Sequence, residues 1–284
     1  MVRRWMSEPG IFASGLRGPE GPAFDQAGNL YVTELEGGAV QRIAPDGTVS
    51  AFVRTGGRPN GSAFHRNGDL YIADASLGAV FRVPPDGRPY MFADAGEEPF
   101  RNPNDLAFDR QGGLYLTDPV MNGGDPDGRV HYVEPDGDIR LFAEGLRFPN
   151  GVALTPDGDR LMVAETRTGA IHEFILDAPG SYAQRRVRVE LEHGPERGGP
   201  DGMAFTEDGF LYVAIARFGA VVVIDPDDNL VERIEPGGGF PTNVAFGGSE
   251  RRTLFITEIE TGTVRRLETT RRGALLYGQQ GATA

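Results

Sequence analysis

Pro103-Asn104-Asp105-Leu106-Ala107-Phe108 is one copy of a phrase that this chain repeats six times. Its form is Pro, a polar residue, two variable positions, Ala, then Phe or Leu. The other copies begin at Pro19-Glu20, Pro59-Asn60, Pro149-Asn150, Pro200-Asp201 and Pro241-Thr242, and the steps from Pro to Pro are 40, 44, 46, 51 and 41 residues. A period of about 40 to 50 residues marks a propeller or another repeat array. The residue after the proline varies, and five of the six copies carry a carboxylate or an amide there. The constant residues speak for the fold and the variable one for the function.

Outward from each phrase the same order recurs. A turn such as Arg66-Asn67-Gly68 or Pro156-Asp157-Gly158 leads into a second apolar strand, as in Leu30 to Glu34, Leu70 to Asp74, Leu114 to Asp118 and Leu254 to Glu258. A third strand starts after Gly, as at Gly38-Ala39-Val40, and ends at a turn such as Pro45-Asp46-Gly47. A fourth, such as Ile139 to Ala143, completes the unit. Four short strands rich in β-branched and aromatic residues, joined by Gly-bearing turns, make a propeller blade. The expected fold is all-β: a six-bladed β-propeller with four antiparallel strands per blade, forming a single domain over residues 1–284. The Gly-His and Trp-Asp signature of the WD40 repeat is missing, and the only Trp is Trp5.

Blade six has no obvious fourth strand at the C-terminus, where Arg271-Arg272-Gly273 reads as a tail. The segment Ile11-Phe12-Ala13-Ser14-Gly15-Leu16 matches Leu141-Phe142-Ala143-Glu144-Gly145-Leu146, a fourth strand that precedes a phrase. The N-terminal strand is therefore expected to close the last blade and hide the sheet edges that invite aggregation.

The chain has 28 Lys and Arg against 41 Asp and Glu, a net charge of −13. Nucleic acid is not the expected partner, because phosphate binding wants a basic face. Cys is absent, which removes disulfides and thiolate sites and suits a reducing cytoplasm. Met1 to Gly10 lacks the apolar core of a signal peptide and no apolar run is long enough to span a membrane, so the expectation is cytoplasmic, away from membranes. A monomer or small homo-oligomer is expected.

In a propeller the first strand of each blade lies nearest the axis, and all six run in one direction. Residues at their starts then form a ring at one mouth of the channel: Glu20, Asn60, Asn104, Asn150, Asp201 and Thr242. Asn or Asp after Pro is also ordinary turn chemistry. Turn chemistry explains Asn60 well and Glu20 poorly. Carboxylates facing each other in a narrow channel repel, and a cation relieves them. Oxygen donors alone suit calcium best; magnesium stays open, and zinc would want His or Cys.

With these residues in hand the chain resembles the senescence marker protein/gluconolactonase (regucalcin-like) family, six-bladed propellers related to diisopropylfluorophosphatase and paraoxonase. The resemblance runs from about Gly10 to Gly278 and is most specific at Asn102 to Asp109, Leu114 to Pro119, Phe148 to Leu154 and Pro241 to Gly248. It implies a divalent metal, Ca2+ with Zn2+, Mg2+ or Mn2+ as alternatives, held by Glu20, Asn150 and Asp201 with help from Asn104. It implies lactone hydrolysis, possible substrates including aldonolactones, with Asp201 as ligand and general base together. A metal-bound carboxylate is a poor base unless one oxygen is free, and a nucleophilic Asp201 is the alternative. Members often carry an Arg two residues before the blade-three Asn; here that residue is Asn102, so a lactone in general is better supported than a sugar lactone. The competing readings are a phosphotriesterase using the same metal site and a non-hydrolytic, strictosidine-synthase-like propeller.

Asn102, Asn104, Asn60 and Thr242 are expected to line the substrate pocket, with Arg217 and Phe218 as further candidates. Asp118 is placed either to orient Asn104 from behind or to cap its own turn. The connection from Pro119 to Gly128 reads as a substrate lid or a plain loop. His65, His131, His172 and His193 read as surface residues away from the mouth.

Overall fold

The computed structural model describes residues 3–4, 9–94, 96, 99–121, 126–194 and 198–280. Its strands form six antiparallel sheets of the expected kind. Blade one is Pro19–Phe24, Leu30–Glu34, Ala39–Ile43 and Val49–Arg54, and blade four is Pro149–Leu154, Arg160–Glu165, Ala170–Ala178 and Ser181–Glu190. Each first strand touches the first strands of both neighbours, and Pro241–Gly247 of blade six returns to Pro19–Phe24 of blade one. The ring is thus a closed six-bladed propeller. Among the described residues the one helical element is a single turn, Tyr277–Gln279.

Gly10–Ser14 pairs antiparallel with Thr263–Glu268 and supplies the fourth strand of blade six. Two features go beyond the sequence reading. Arg3–Arg4 adds a short parallel strand to the edge of blade five, beside Glu232 and Arg233. The segment expected as a C-terminal tail instead folds under the ring. The Gly273 N–H donates to the Arg251 carbonyl at 2.7 Å and the Ala274 N–H to the Phe205 carbonyl at 2.9 Å. Farther along, the Tyr277 hydroxyl meets His65 Nε2 at 3.2 Å and Gln26 Nε2 donates to the Gly278 carbonyl at 3.3 Å. Apolar surface at the lower end of the channel drives this return, since Tyr277 packs on Phe108 and His65.

The phrase's final aromatic residue holds neighbouring blades together. Phe64 packs edge-on to Tyr31 of the preceding blade at 4.9 Å, Phe108 to Tyr71 at 5.0 Å and Phe246 to Tyr212 at 5.0 Å. Phe24 meets Phe255 in the same way across the closure. Edge-to-face aromatic pairs add about 0.5–1.5 kcal/mol each beyond the area they bury. The second strands Leu30–Glu34 and Leu114–Asp118 are buried throughout, because blades cover both of their faces.

The histidine expectation needs correction. His131 and His172 are buried in the third strands of blades three and four. His172 Nε2 lies 2.9 Å from Glu165 Oε2, and His131 packs edge-on to Phe100 at 5.0 Å. Both lie at positions of the third strand that neighbouring elements cover, so the side chain is buried there despite its polarity. His65 is half-buried beneath Tyr277, and His193 is exposed.

Candidate functional site

The mouth of the channel is a cavity of about 340 Å³, and all six ring residues line it: Glu20, Asn60, Asn104, Asn150, Asp201 and Thr242. Asn102 and Arg217 line it too. Phe218 does not, and packs instead against the core between blades four and five. Asp118 stands behind the wall. It accepts from the Arg101 N–H at 2.9 Å and the Asn102 N–H at 2.7 Å, so it fixes the backbone leading to Asn104 and makes no bond to the Asn104 side chain. The same job recurs around the ring. Glu34 accepts from the Arg17 N–H, Asp74 from Arg58, Glu165 from Arg147 and Glu258 from Phe240. Of the connection from 119 to 128, residues 122–125 lie outside the described residues.

Local backbone geometry explains why the ring side chains converge. The first strands of blades one, two, four, five and six each slip register just after the phrase begins, for instance between Glu20 and Ala23 and between Pro200 and Met203. Such bulges bend a strand and re-aim its side chains. The third position of the phrase is Gly21, Gly61, Gly151 and Gly202 in four blades. A Cβ on Gly151 would stand 2.1 Å from the Asp201 carbonyl oxygen, and one on Gly61 would stand 2.6 Å from Asp105 Cα. The blades approach too closely there for any side chain. Threonines then fasten the ring carbonyls: Thr33 Oγ1 donates to the Asn60 carbonyl at 2.5 Å and Thr117 Oγ1 to the Asn150 carbonyl at 2.6 Å.

Where the third position is not Gly, it carries Asp105 and Asn243, which sequence reasoning passed over. Asn243 Nδ2 donates to Glu20 Oε2 at 3.1 Å, and the Gly21 N–H donates to the same oxygen. Asp105 accepts from the Leu106 N–H at 2.9 Å and, across the blade boundary, from the Val152 N–H at 3.1 Å. Their signal in the sequence was the exception itself, a large polar residue at a position that is otherwise Gly. Asn150 Nδ2 is taken by Thr166 Oγ1 at 3.1 Å, which leaves its carbonyl oxygen as the acceptor at the cavity.

Glu20 is 4% exposed and Asp201 is 7% exposed. Burial holds the Asp201 carboxyl well above its usual pKa, and the charges of Glu20 and Asp105 push the same way. Burial also raises Glu20, against the pull of Gly21, Asn243 and Thr242. Asp105, buried and facing the charge of Glu20, is pushed up to about 7. Among the described residues no basic side chain pairs with Glu20 or Asp201. Nor do three or more His, Cys, Asp or Glu gather in one metal-holding group among them. The ring mixes two carboxylates with amides and a hydroxyl. That donor set fits a hard, oxygen-seeking divalent ion, and the unrelieved repulsion gives it a reason to bind.

The SMP-30/Gluconolactonase/LRE-like region description matches residues 18–260. The chain belongs to this family. Among curated relatives, a diisopropyl-fluorophosphatase from Loligo vulgaris is 30% identical over 61% of this chain and 59% of its own length. A gluconolactonase from Zymomonas mobilis is 31% identical over 56% of this chain and 48% of its own. The chain thus matches about half the length of these relatives. Among solved structures, regucalcin from Agrobacterium tumefaciens, a calcium-binding protein, superimposes with a TM-score of 0.85 at 20% identity over 96% of this chain and 97% of its own. That likeness carries the fold. In this family member the ring at the mouth is the part of the repeat that varies.

Proposed function

We propose that this protein is a divalent-metal-dependent hydrolase that opens a lactone ring, with calcium as the ion, acting as one propeller domain in the cytoplasm. The observation that carries the reading is the pair of buried carboxylates, Glu20 and Asp201, facing one cavity with no cationic side chain paired to them among the described residues. Glu20, Asn150 and Asp201 would hold the ion, with Asn104 assisting. A bound ion would supply charge to polarise the lactone carbonyl and to stabilise the developing oxyanion. Asn243 fixes the Glu20 carboxylate, and Thr166 turns the Asn150 carbonyl toward the cavity. Asp201 would accept the proton of the attacking water on whichever of its oxygens the ion leaves unengaged. Thr242 Oγ1, anchored to the Pro19 carbonyl at 3.1 Å, and Asn60 and Asn102 line the seat for the substrate. Leu35, Met121 and Ile259 give that cavity apolar walls suited to a small ring.

The test is titration of acid released from D-glucono-1,5-lactone, with and without a chelator. Hydrolysis is expected to stop with chelator and return with calcium, and to fall at least 100-fold in Asp201→Asn. A chelator-insensitive rate overturns the reading. The relative from Loligo vulgaris favours a second reading, phosphotriester hydrolysis at the same site. Hydrolysis of diisopropyl fluorophosphate with inert lactones would select it.

A further inference from the structure

Three arginines line the mouth cavity above its acidic floor: Arg58 of blade two, Arg167 of blade four and Arg217 of blade five. In a chain of net charge −13 this is a local reversal of sign. The guanidinium groups of Arg217 and Arg167 are held in place. Arg217 stacks 4.8 Å over the Phe240 ring, on a backbone whose φ of 62° is uncommon for a residue with a side chain. Arg167 stacks 5.2 Å over Phe148 and donates to the Met121 carbonyl at 2.7 Å. Phe148 itself has φ 66°. Strained backbone that persists at a mouth is a marker of function. The Arg58 N–H is fixed by Asp74 Oδ1 at 2.8 Å, immediately before Pro59.

Stacking on a ring face leaves the in-plane N–H donors of a guanidinium directed at its edge, where they suit a planar or tetrahedral oxyanion. Among the described residues neither Arg58 nor Arg217 pairs with a carboxylate. Among the described residues Glu36 is the one acidic residue lining the cavity outside the ring. The proposed ion accounts for the charges of Glu20 and Asp201, so among the described residues the guanidinium groups of Arg58 and Arg217 face a single rim carboxylate, with Arg167 beside them. Blade three offers Asn102 rather than a cation at the corresponding wall.

We propose that the substrate is a lactone bearing an anionic substituent, a carboxylate, sulfonate or phosphate, away from the ring carbonyl, and that Arg58, Arg167 and Arg217 receive it. The proposal rests on the lactone reading of this cavity. It differs from a rim that merely meets the carboxylate released by ring opening, because that product forms from any lactone.

The test uses a pair of probes that differ in charge, 5-oxotetrahydrofuran-2-carboxylate and its carboxamide, with the calcium-loaded protein. Hydrolysis of the carboxylate is expected to show kcat/KM about tenfold above that of the carboxamide, carried by KM and weakened by salt as rim charges are screened. In the triple variant Arg58→Gln, Arg167→Gln, Arg217→Gln the ratio should fall toward one. A ratio near or below one in the wild type, or one unchanged in the triple variant, overturns the proposal. If neither lactone is hydrolysed, ligand-observed NMR titration with both probes decides separately. Tighter binding of the carboxylate, lost in the triple variant, then supports the rim, and the gluconolactone assay decides the lactonase reading on its own. Equal binding overturns the rim.

Discussion

Glu165 shows how one side chain can hold two strands and a loop. Burial works against its charge, but bonds from His172, from the Arg147 N–H and from Thr168 overcome this and hold its carboxyl at about 2. A carboxyl below its unfolded value of about 4.3 stabilises the fold above that value, and the contribution is lost as pH falls toward 2. Glu165→Gln is therefore expected to cost about 1–3 kcal/mol near neutral pH. In denaturant unfolding the gap from wild type should close between pH 4 and 2. A gap that persists at pH 2 would contradict this. Residues of this kind were hard to read from sequence. The acidic ends of Leu30–Glu34 and Leu114–Asp118 look like strand ends, and only their spatial partners show that they clamp the approach to the phrase of their own blade. The ring residues were legible because they repeat at one position in every copy. Asp105 and Asn243 were not, because each departs from its repeat in a single blade.

At the scale of the element, the first strand of each blade is shaped by what its neighbour allows. A Cβ on Gly61 would lie 2.5 Å from Asp105 Oδ1 and 2.7 Å from the Asn104 carbonyl oxygen, so blade three would have to yield backbone. Gly61→Ala should destabilise by about 1–3 kcal/mol through this overpacking. Gly10→Ala, with nothing within 4 Å of the added atom, should stay within about 0.5 kcal/mol of wild type. Equal midpoints for the two variants would mean that the glycines do not set blade spacing. Strand order and closure were legible because turns, phrases and the match of Ile11–Leu16 to Leu141–Leu146 repeat along the chain. The returning segment at 273–280 and the short strand Arg3–Arg4 occur once each. Only tertiary contact places them, so no repeat announced them.

For the whole molecule, three carboxyls near the axis, Glu20, Asp105 and Asp201, all favour the protonated form. A raised carboxyl costs nothing below its unfolded value of about 4 and penalises the fold increasingly as pH rises through its folded value, near 7 for Asp105. A divalent ion binds the ionised ring, so its benefit should grow over the same interval. At an ion concentration of about 100 Kd, linkage gives about 2.7 kcal/mol of added stability. Calcium is therefore expected to raise Tm more at pH 8 than at pH 5. An equal or reversed difference would contradict the electrostatic account of the channel.

The central claim is that the variable residue of the repeat builds a metal site at the channel mouth. The most direct measurement is elemental analysis of the purified protein after extensive dialysis, for the wild type and for Asp201→Ala. The account predicts about one divalent ion, calcium, per chain in the wild type and loss of that ion in a variant that remains folded. A wild-type protein that carries no divalent ion and does not take up calcium on addition would contradict it.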